Sequence, residues 1–486
     1  MPWRVGPGRR WSTIGCLFFA AACPTLQAQT RVEVSTLPEL RAAVQEDNQT
    51  IVMRSGRYSL TDLPDDARDL PCSGSNNTIE LVGVSVTTPV GATRRGYIKI
   101  SGDNNVFRGG VFEDVYQNGL EEVTDFSAYN QDRSRLAKGL GGDAVLAITG
   151  DNNLIAGTKL IVRGSFPYGY GSIYGIGAEN AFGLDKRCGI LVKGESNIID
   201  GCEVQQRAFG HGIYMQSPAD RTVVRNTLVE GVLRPSNELY LETNPRDLPA
   251  RSNYEIPPSR ASRRRGRGRG RNRDENRGRE AGREEVAGTP IPRDTMIPLA
   301  EDGIRVYTRG GSVTVENCTV KKMRGGIRLY MASRATVINS TAIDCGDTNF
   351  NLPSDGRIVG SSGNFAYAPL SDFRLSRSRQ KIELTILPST QSIGTHNLAD
   401  ILGDEHNIIF HRADGPPDAK LRAIVIHGSG STIKNETHYP MTLLPTANRN
   451  TVESCGPVTD LGSGNEVSRI ELPVSKTDTP SPPNQG

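Results

Sequence analysis

Histidine is scarce in this chain, six in 486 residues, and one of them stands where chemistry can use it. His211 opens the run His211-Gly212-Ile213-Tyr214-Met215-Gln216. The frame returns as Asp302-Gly303-Ile304-Arg305-Val306-Tyr307 and as Gly325-Gly326-Ile327-Arg328-Leu329-Tyr330, and an earlier copy ends on Lys193. An imidazole exchanges a proton near neutral pH, a phenol can donate one, and a guanidinium pairs with a carboxylate through two parallel hydrogen bonds. Cleavage of a uronic-acid polymer by β-elimination needs those three abilities: a base for the C5 proton, an acid for the leaving glycosidic oxygen, and a neutraliser for the carboxylate. His211 is expected as base or carboxylate partner, Tyr214 or Tyr307 as proton donor, and Arg305 and Arg328 as neutralisers. Lys193, Gln216, Asp302 and Tyr330 complete the set as substrate contacts, with Arg207, Asp185, Lys186 and Arg187 on the approach from the preceding segment.

Other chemistries fit some of the same residues. A glycoside hydrolase would pair Asp302 with Asp185, Glu238 or Glu242, at roughly 5–5.5 Å for retention or 6.5–9.5 Å for inversion. A C5-epimerase shares the proton-abstraction step. A binding or adhesion module would keep the Arg/Tyr ladder and tolerate loss of His211, which could equally cap a turn beside Gly212. The sequence has no HExxH, GxSxG, Walker or dinucleotide fingerprint, so the candidate chemistry rests on this one set of residues.

The elements that must hold these residues can be read from their spacing. Aligned on Gly189, Gly212, Gly303 and Gly326, each glycine precedes a short alternating strand. Ile190/Val192, Ile213/Met215, Ile304/Val306 and Ile327/Leu329 share the parity that enters a core. Lys193 to Gln216 is 23 residues, and so is Tyr307 to Tyr330. Short strands at that period predict a solenoid, a right-handed parallel β-helix of all-β class, with the outward residues stacked at roughly 4.8 Å per coil.

A second pattern supports this reading. GDNNVFRGGVFEDV, GDNNLIAGTKLIVRG, GESNIIDGCEVQQ, GGSVTVENCTVKKM and SRATVINSTAIDC each give a polar turn, a short strand, an Asn/Gly turn and another strand. Asn and Gly tolerate the left-handed backbone of such corners, so Asn or Thr ladders and ten or more coils are expected. Calcium is chemically admissible at Gly102–Asn105 and Gly150–Asn153, but recurrence at corners favours a turn role. The open end should be covered by a short helix beginning at Ser35-Thr36-Leu37-Pro38-Glu39.

Residues 1–28 read as a secretory signal peptide, with Arg9 and Arg10, an apolar stretch and Leu26-Gln27-Ala28 before the cut. The β-helix is placed at 29–467, with a long insertion at about 234–300 whose Arg/Gly-rich part, 259–288, lacks apolar anchors and is expected to be disordered, like the tail at 468–486. Arg/Gly runs can bind nucleic acid, but inside a secreted solenoid this one is read as a solvated loop or glycan anchor, so no nucleic-acid partner is assigned. A net charge of +3 says little by itself about partners, and no later run of eighteen apolar residues predicts a spanning helix. A monomer, secreted or periplasmic, acting on an anionic polysaccharide without a required metal is the expectation. Cys188/Cys202 and Cys318/Cys345 could be disulfides across coils or buried thiols.

From Thr30 to about Val467 the chain resembles secreted right-handed parallel β-helix proteins that act on polysaccharides, polysaccharide lyases above all. The opening VEVSTLPELRAAVQEDNQTIVMRSGRYSL resembles the helix-capped first coil of such proteins. The resemblance implies a cleft-forming solenoid, a secreted location, an anionic polysaccharide and a catalytic Arg, Lys, His or Tyr. It is one of architecture: the aspartate-rich signature of pectin-hydrolysing relatives and the Asp-Pro-His signature of alginate epimerases are absent.

Overall fold

A computed structural model describes residues 29–471 apart from 90–91, 94–95, 116–143, 164–186, 236, 238–254, 257–288, 291–292, 295, 299, 308–309, 347, 365–376, 390–396 and 416–420. The expected signal peptide, the Arg/Gly-rich stretch and the tail from 472 onward lie outside the described residues.

The helix at the start follows from local chemistry. Thr36 is extended and its hydroxyl accepts from the Glu39 N–H, while Glu39 reaches back to the Thr36 N–H, a reciprocal cap for Leu37–Ala43. Leu37, Leu40 and Ala43 are buried, so the helix covers the core where the first strands would otherwise stand open.

Beyond it the chain is a parallel β-helix. One face is a continuous parallel stack, beginning with Thr30–Val34 on Gln49–Met53 and ending with Thr451–Ser454 on Glu466–Arg469. The last strand runs to Arg469, two residues past the expected end. A second face is an eight-stranded parallel sheet that includes Cys188–Val192, Ile213–Met215, Asp302–Val306 and Gly325–Arg328 as successive neighbours. Ile190, Ile213, Ile304 and Ile327 are in register across it, all at 0% exposure. The glycine alignment of the sequence is thus the strand register, even where Leu233–Pro235 leaves the coils and pairs antiparallel with Met296–Pro298 on the way back.

Corners set the coil shape. Asn48, Asn76, Asn104, Asn152, Ser196 and Arg221 all have φ between 50° and 58°, one per coil. Beside them Asn77, Asn105, Asn153 and Asn197 form a buried ladder, the backbone N–H of each of the first three donating to the side-chain oxygen of the next coil's asparagine at 2.8–2.9 Å. The GDNN segments are therefore corners: Asp103 accepts from the Asp151 N–H at 2.7 Å. The aligned glycines have their own reason. A Cβ on Gly303 would sit 2.2 Å from Val320 Cγ1, and one on Gly212 2.3 Å from Val229 Cγ1.

All six described cysteines are thiols. Cys202 and Cys318 sit in a small-residue corner column with Thr227 and Ser340, where Cys202 N–H donates to Thr227 and Cys318 N–H to Ser340. Burial pushes the Cys202 and Cys318 thiols up to about 11 and those of Cys72 and Cys345 up to about 12. No helix among the described residues is long and apolar enough to cross a membrane.

Candidate functional site

The second face carries a column running Leu191, Tyr214, Arg305, Arg328, Asn351, each the register partner of the next. Two residues further along the strands, Lys193, Gln216 and Tyr307 form a parallel column, tied by backbone bonds from each to the coil before. A third set stands just before the aligned glycines: Cys188, His211 and Asp302, with Arg187, Gly210, Glu301 and Arg324 one position earlier. Stacking brings residues distant in sequence to within one or two coils of one another.

The strip is less open than its sequence suggests. Tyr214, Arg328 and Tyr330 are buried at 6%, 7% and 5% exposure, and His211 and Asp302 at 3% and 1%. Arg305, Tyr307, Gln216, Lys193 and Arg207 are half-buried.

Asp302 organises the centre. Its Oδ1 accepts from Arg328 Nη1 and its Oδ2 from Arg305 Nη1, both at 3.0 Å. Burial pushes the Asp302 carboxyl up, but the Arg328 and Arg305 charges, with Arg324 further off, outweigh it and hold the group well below the usual carboxylate range. Gly325 leaves the room for this, since a Cβ there would lie 2.2 Å from Asp302 Oδ1. Arg305 also donates to the Tyr330 hydroxyl at 2.7 Å, and its guanidinium lies 4.8 Å from the Tyr330 ring centre and 5.1 Å from that of Tyr307. The two arginines expected to neutralise a substrate carboxylate therefore already hold one of the protein's own.

His211 is fixed from both sides. Its Nδ1 accepts the Asp302 backbone N–H at 3.2 Å, which leaves the proton of the neutral ring on Nε2. Nε2 lies 2.5 Å from the Tyr307 hydroxyl and 3.1 Å from Glu301 Oε2, with Arg324 at 3.5 Å from the other Glu301 oxygen. Burial first, and then the Glu301 charge, push the Tyr307 phenol up, so it stays protonated at neutral pH. In this arrangement His211 donates toward Tyr307 and has no lone pair free for a C5 proton, unlike the base expected from the sequence. Tyr214 packs against both rings, 5.6 Å from His211 and 6.2 Å from Tyr307.

Arg187 is placed differently from expectation. It is at 0% exposure, with its guanidinium on Asp114 at 3.0 and 3.2 Å and 5.8 Å from the Tyr97 ring centre, so it holds coils together rather than meeting substrate. Burial opposes its charge and Asp114 more than restores it. Among the described residues Lys193 and Arg207 have no ion-pair partner, while Lys186, Asp185, Glu238 and Glu242 lie outside the described residues. Glu301 and Arg324 went unread in the sequence; the same frame, taken one residue earlier, would have found both. Among the described residues no group of three His, Cys, Asp or Glu side chains gathers as a metal site.

No protein-family model matches the chain, and a search of curated proteins finds no match either. Among solved structures the chain is similar to an alginate lyase from Paenibacillus sp. str. FPU-7, with 11% identity over 90% of this chain and 98% of that one and a TM-score of 0.32. It is also similar to the catalytic domain of a GH87 α-1,3-glucanase in complex with nigerose, with 11% identity, 93% and 69% coverage and a TM-score of 0.42. An endo-xylogalacturonan hydrolase from Aspergillus tubingensis matches at 10% identity, 91% and 96% coverage and a TM-score of 0.36.

Proposed function

We propose that this protein is an enzyme that cleaves a uronate-containing polysaccharide by β-elimination, with Tyr307 and Glu301 as its proton-transfer pair. The observation that carries the reading is the contact of one imidazole nitrogen, His211 Nε2, with both the Tyr307 hydroxyl and the Glu301 carboxyl group. An acid and an acceptor are thereby neighbours, with a hydrogen-bond donor between them.

Tyr307, held protonated, gives its proton to the glycosidic oxygen as the C4–O4 bond breaks. The Nε2–H of His211 then stabilises the phenolate left behind. Glu301 takes the C5 proton, the electron pair forms the C4=C5 double bond, and Arg324 keeps the carboxyl group oriented. Lys193, in the column of Tyr307 and without an ion pair among the described residues, meets the substrate carboxylate, with Gln216 between them and Arg207 at the approach. Asp302, Arg305 and Arg328 act as the frame that holds His211 and Tyr307 in place.

A panel of acidic glycans followed by ultraviolet absorbance tests this directly, because each elimination leaves a C4=C5 bond conjugated to the carboxylate. Tyr307→Phe keeps the ring and removes only the transferable proton, so kcat should fall by about 10²–10⁴ with the melting temperature unchanged. Full activity in that variant would exclude the assignment. New reducing ends without the absorbance would instead favour a hydrolase built on Glu301 and the ionised Asp302. A protein that binds glycans and cleaves none would be the binding module.

A further inference from the structure

Further along the solenoid, the corner between the long stack and the strip side opens into a recess. Arg412 ends the strand Asn407–Arg412, and its register partner in the coil before is Ile386, a buried core residue. A guanidinium at core parity needs an answer to its charge. Yet Arg412 is half-buried and its side chain has neither an ion pair nor a hydrogen bond among the described residues. Arg163 and Arg225, half-buried on earlier coils of the same stack, hold Glu113 and Asp200. Beside Arg412 lies a void of about 20 Å³ with Ile386, Pro388 and Tyr439 as apolar walls and His438 as its second basic side chain. It opens at Gly415, which is exposed and where an added Cβ would meet nothing within 4 Å among the described residues.

We infer that this recess is an anion site, which receives the oxyanion of an acidic glycan, a carboxylate or a sulfate ester, between Arg412 and His438. Charge and size select that class. Among the described residues no acidic side chain lines the recess. Of the two carboxylates next to it in sequence, Asp414 is exposed, and Glu436 is held by Lys434 at 2.7 Å and His411 at 2.8 Å. The Thr437 hydroxyl already donates to Asn435 Oδ1 at 2.5 Å, which leaves Arg412 and His438 as the donors. A metal ion would be repelled by Arg412, and a neutral hydroxyl would leave the guanidinium charge unanswered. An oxyanion meets it through charge-assisted, paired hydrogen bonds. One water needs roughly 10–15 Å³, so the void admits a headgroup of a few atoms and keeps the sugar ring outside.

The recess shares its corner with Glu301 and Arg324. The strand Leu228–Glu230 leads to the corner of Glu301, and Thr319–Lys321, Thr341–Ile343, Arg357–Gly363, Lys381–Ile386 and Asn407–Arg412 stack on it in turn. Arg412 is therefore five coils further on, roughly 24 Å along the solenoid. A polymer lying along this side would be held by Lys193 near the reacting unit and by Arg412 at its far end, so the protein would favour long acidic chains over short ones. That use rests on the proposed function; the site itself does not.

The full chain is titrated calorimetrically with octamers of galacturonate, mannuronate and glucuronate, with a sulfated galactan octamer, with neutral maltooctaose and with the matching uronate trimers. At least one acidic octamer should bind. Its Kd, or its KM where it is turned over, should rise about tenfold in Arg412→Gln, and Arg412→Lys, which keeps the charge, should recover part of the loss. His438→Gln should raise it less and guards against a folding defect in the first variant. The trimers, too short to reach Arg412 from Tyr307, and maltooctaose should respond to none of these changes. Dependence on Arg412 with a uronate octamer assigns the oxyanion as a carboxylate, and with the sulfated octamer as a sulfate ester; either supports the inference. Absent binding of every acidic octamer, equal affinity in wild type and Arg412→Gln, or an equal loss for maltooctaose would each overturn it. Arg412-dependent binding in a protein that cleaves no acidic glycan would keep this site and remove the elimination reading; elimination with an unchanged KM in Arg412→Gln would do the reverse.

Discussion

The corner ladder and the strip both bury polar side chains coil after coil, yet they differ in what they repeat. At the corner the same residue recurs, Asn77, Asn105, Asn153, Asn197, and each oxygen accepts from the backbone of its neighbour. On the strip the residue changes from coil to coil: Cys188, His211, Asp302 and Gly325 share one position, and Leu191, Tyr214, Arg305 and Arg328 share another, where only the last two agree. A neutral amide answers a demand that the backbone makes in every coil, so the solution repeats. Charges answer one another, so each coil must supply what the adjacent one lacks: Asp302 against Arg328, Glu301 against Arg324. Repetition marks support, and departure from it within a repeating frame marks the place where chemistry is concentrated.

The sharpest way to break that contrast is to remove one charge from the strip. Asp302→Ala leaves Arg305 and Arg328 without their shared carboxylate in a buried setting, and should lower stability by about 3–5 kcal/mol in urea unfolding. A loss below about 1 kcal/mol, the size expected of an exposed pair, would mean that the strip is as wet as any surface.

Acid should expose the same difference. The Asp302 carboxyl titrates lower in the folded chain than its ordinary 3.8, so its contribution is complete above that pH and is lost as pH falls toward the folded value. The asparagine ladder has no titrating group. Wild type should therefore lose stability more steeply below about pH 4 than Asp302→Asn, measured by thermal unfolding across a pH series. Parallel acid slopes would show that the Asp302 network contributes nothing to folding.

Why the sequence disclosed the coils so well and the site only in part follows from the same distinction. The glycine frame, the Ile/Val parity and the asparagine corners are each dictated within a single coil, and all are visible as spacing. Glu301 and Arg324 are defined only by what the neighbouring coil places opposite them, and spacing does not state that. Nor does spacing reveal that Arg187 meets Asp114 or that His211 Nδ1 is taken by the Asp302 N–H; both contacts join segments far apart in the chain. Parity says which way a side chain leaves its strand. It says nothing of burial after leaving, and so Arg328 and Tyr330 are more enclosed than alternation implies.

Within the ladder the effects should shrink. Asn153→Ala removes the oxygen that accepts from the Asn105 N–H and leaves that donor buried, for a loss of about 1–3 kcal/mol and no change in kcat on any acidic glycan. A fall in kcat without a change in KM would mean that corner and strip are mechanically coupled across the coil. Smallest of all should be Arg225→Ala. Its guanidinium pairs with Asp200 at 2.8 Å on the outside of the same coils, but the Arg225 side chain is 40% exposed. Solvent screens that pair, so the loss should stay below about 1 kcal/mol and shrink further in high salt. A larger, salt-insensitive loss would place this surface pair with Asp302, and would show that a strand facing water can be as dependent on its charges as the strip.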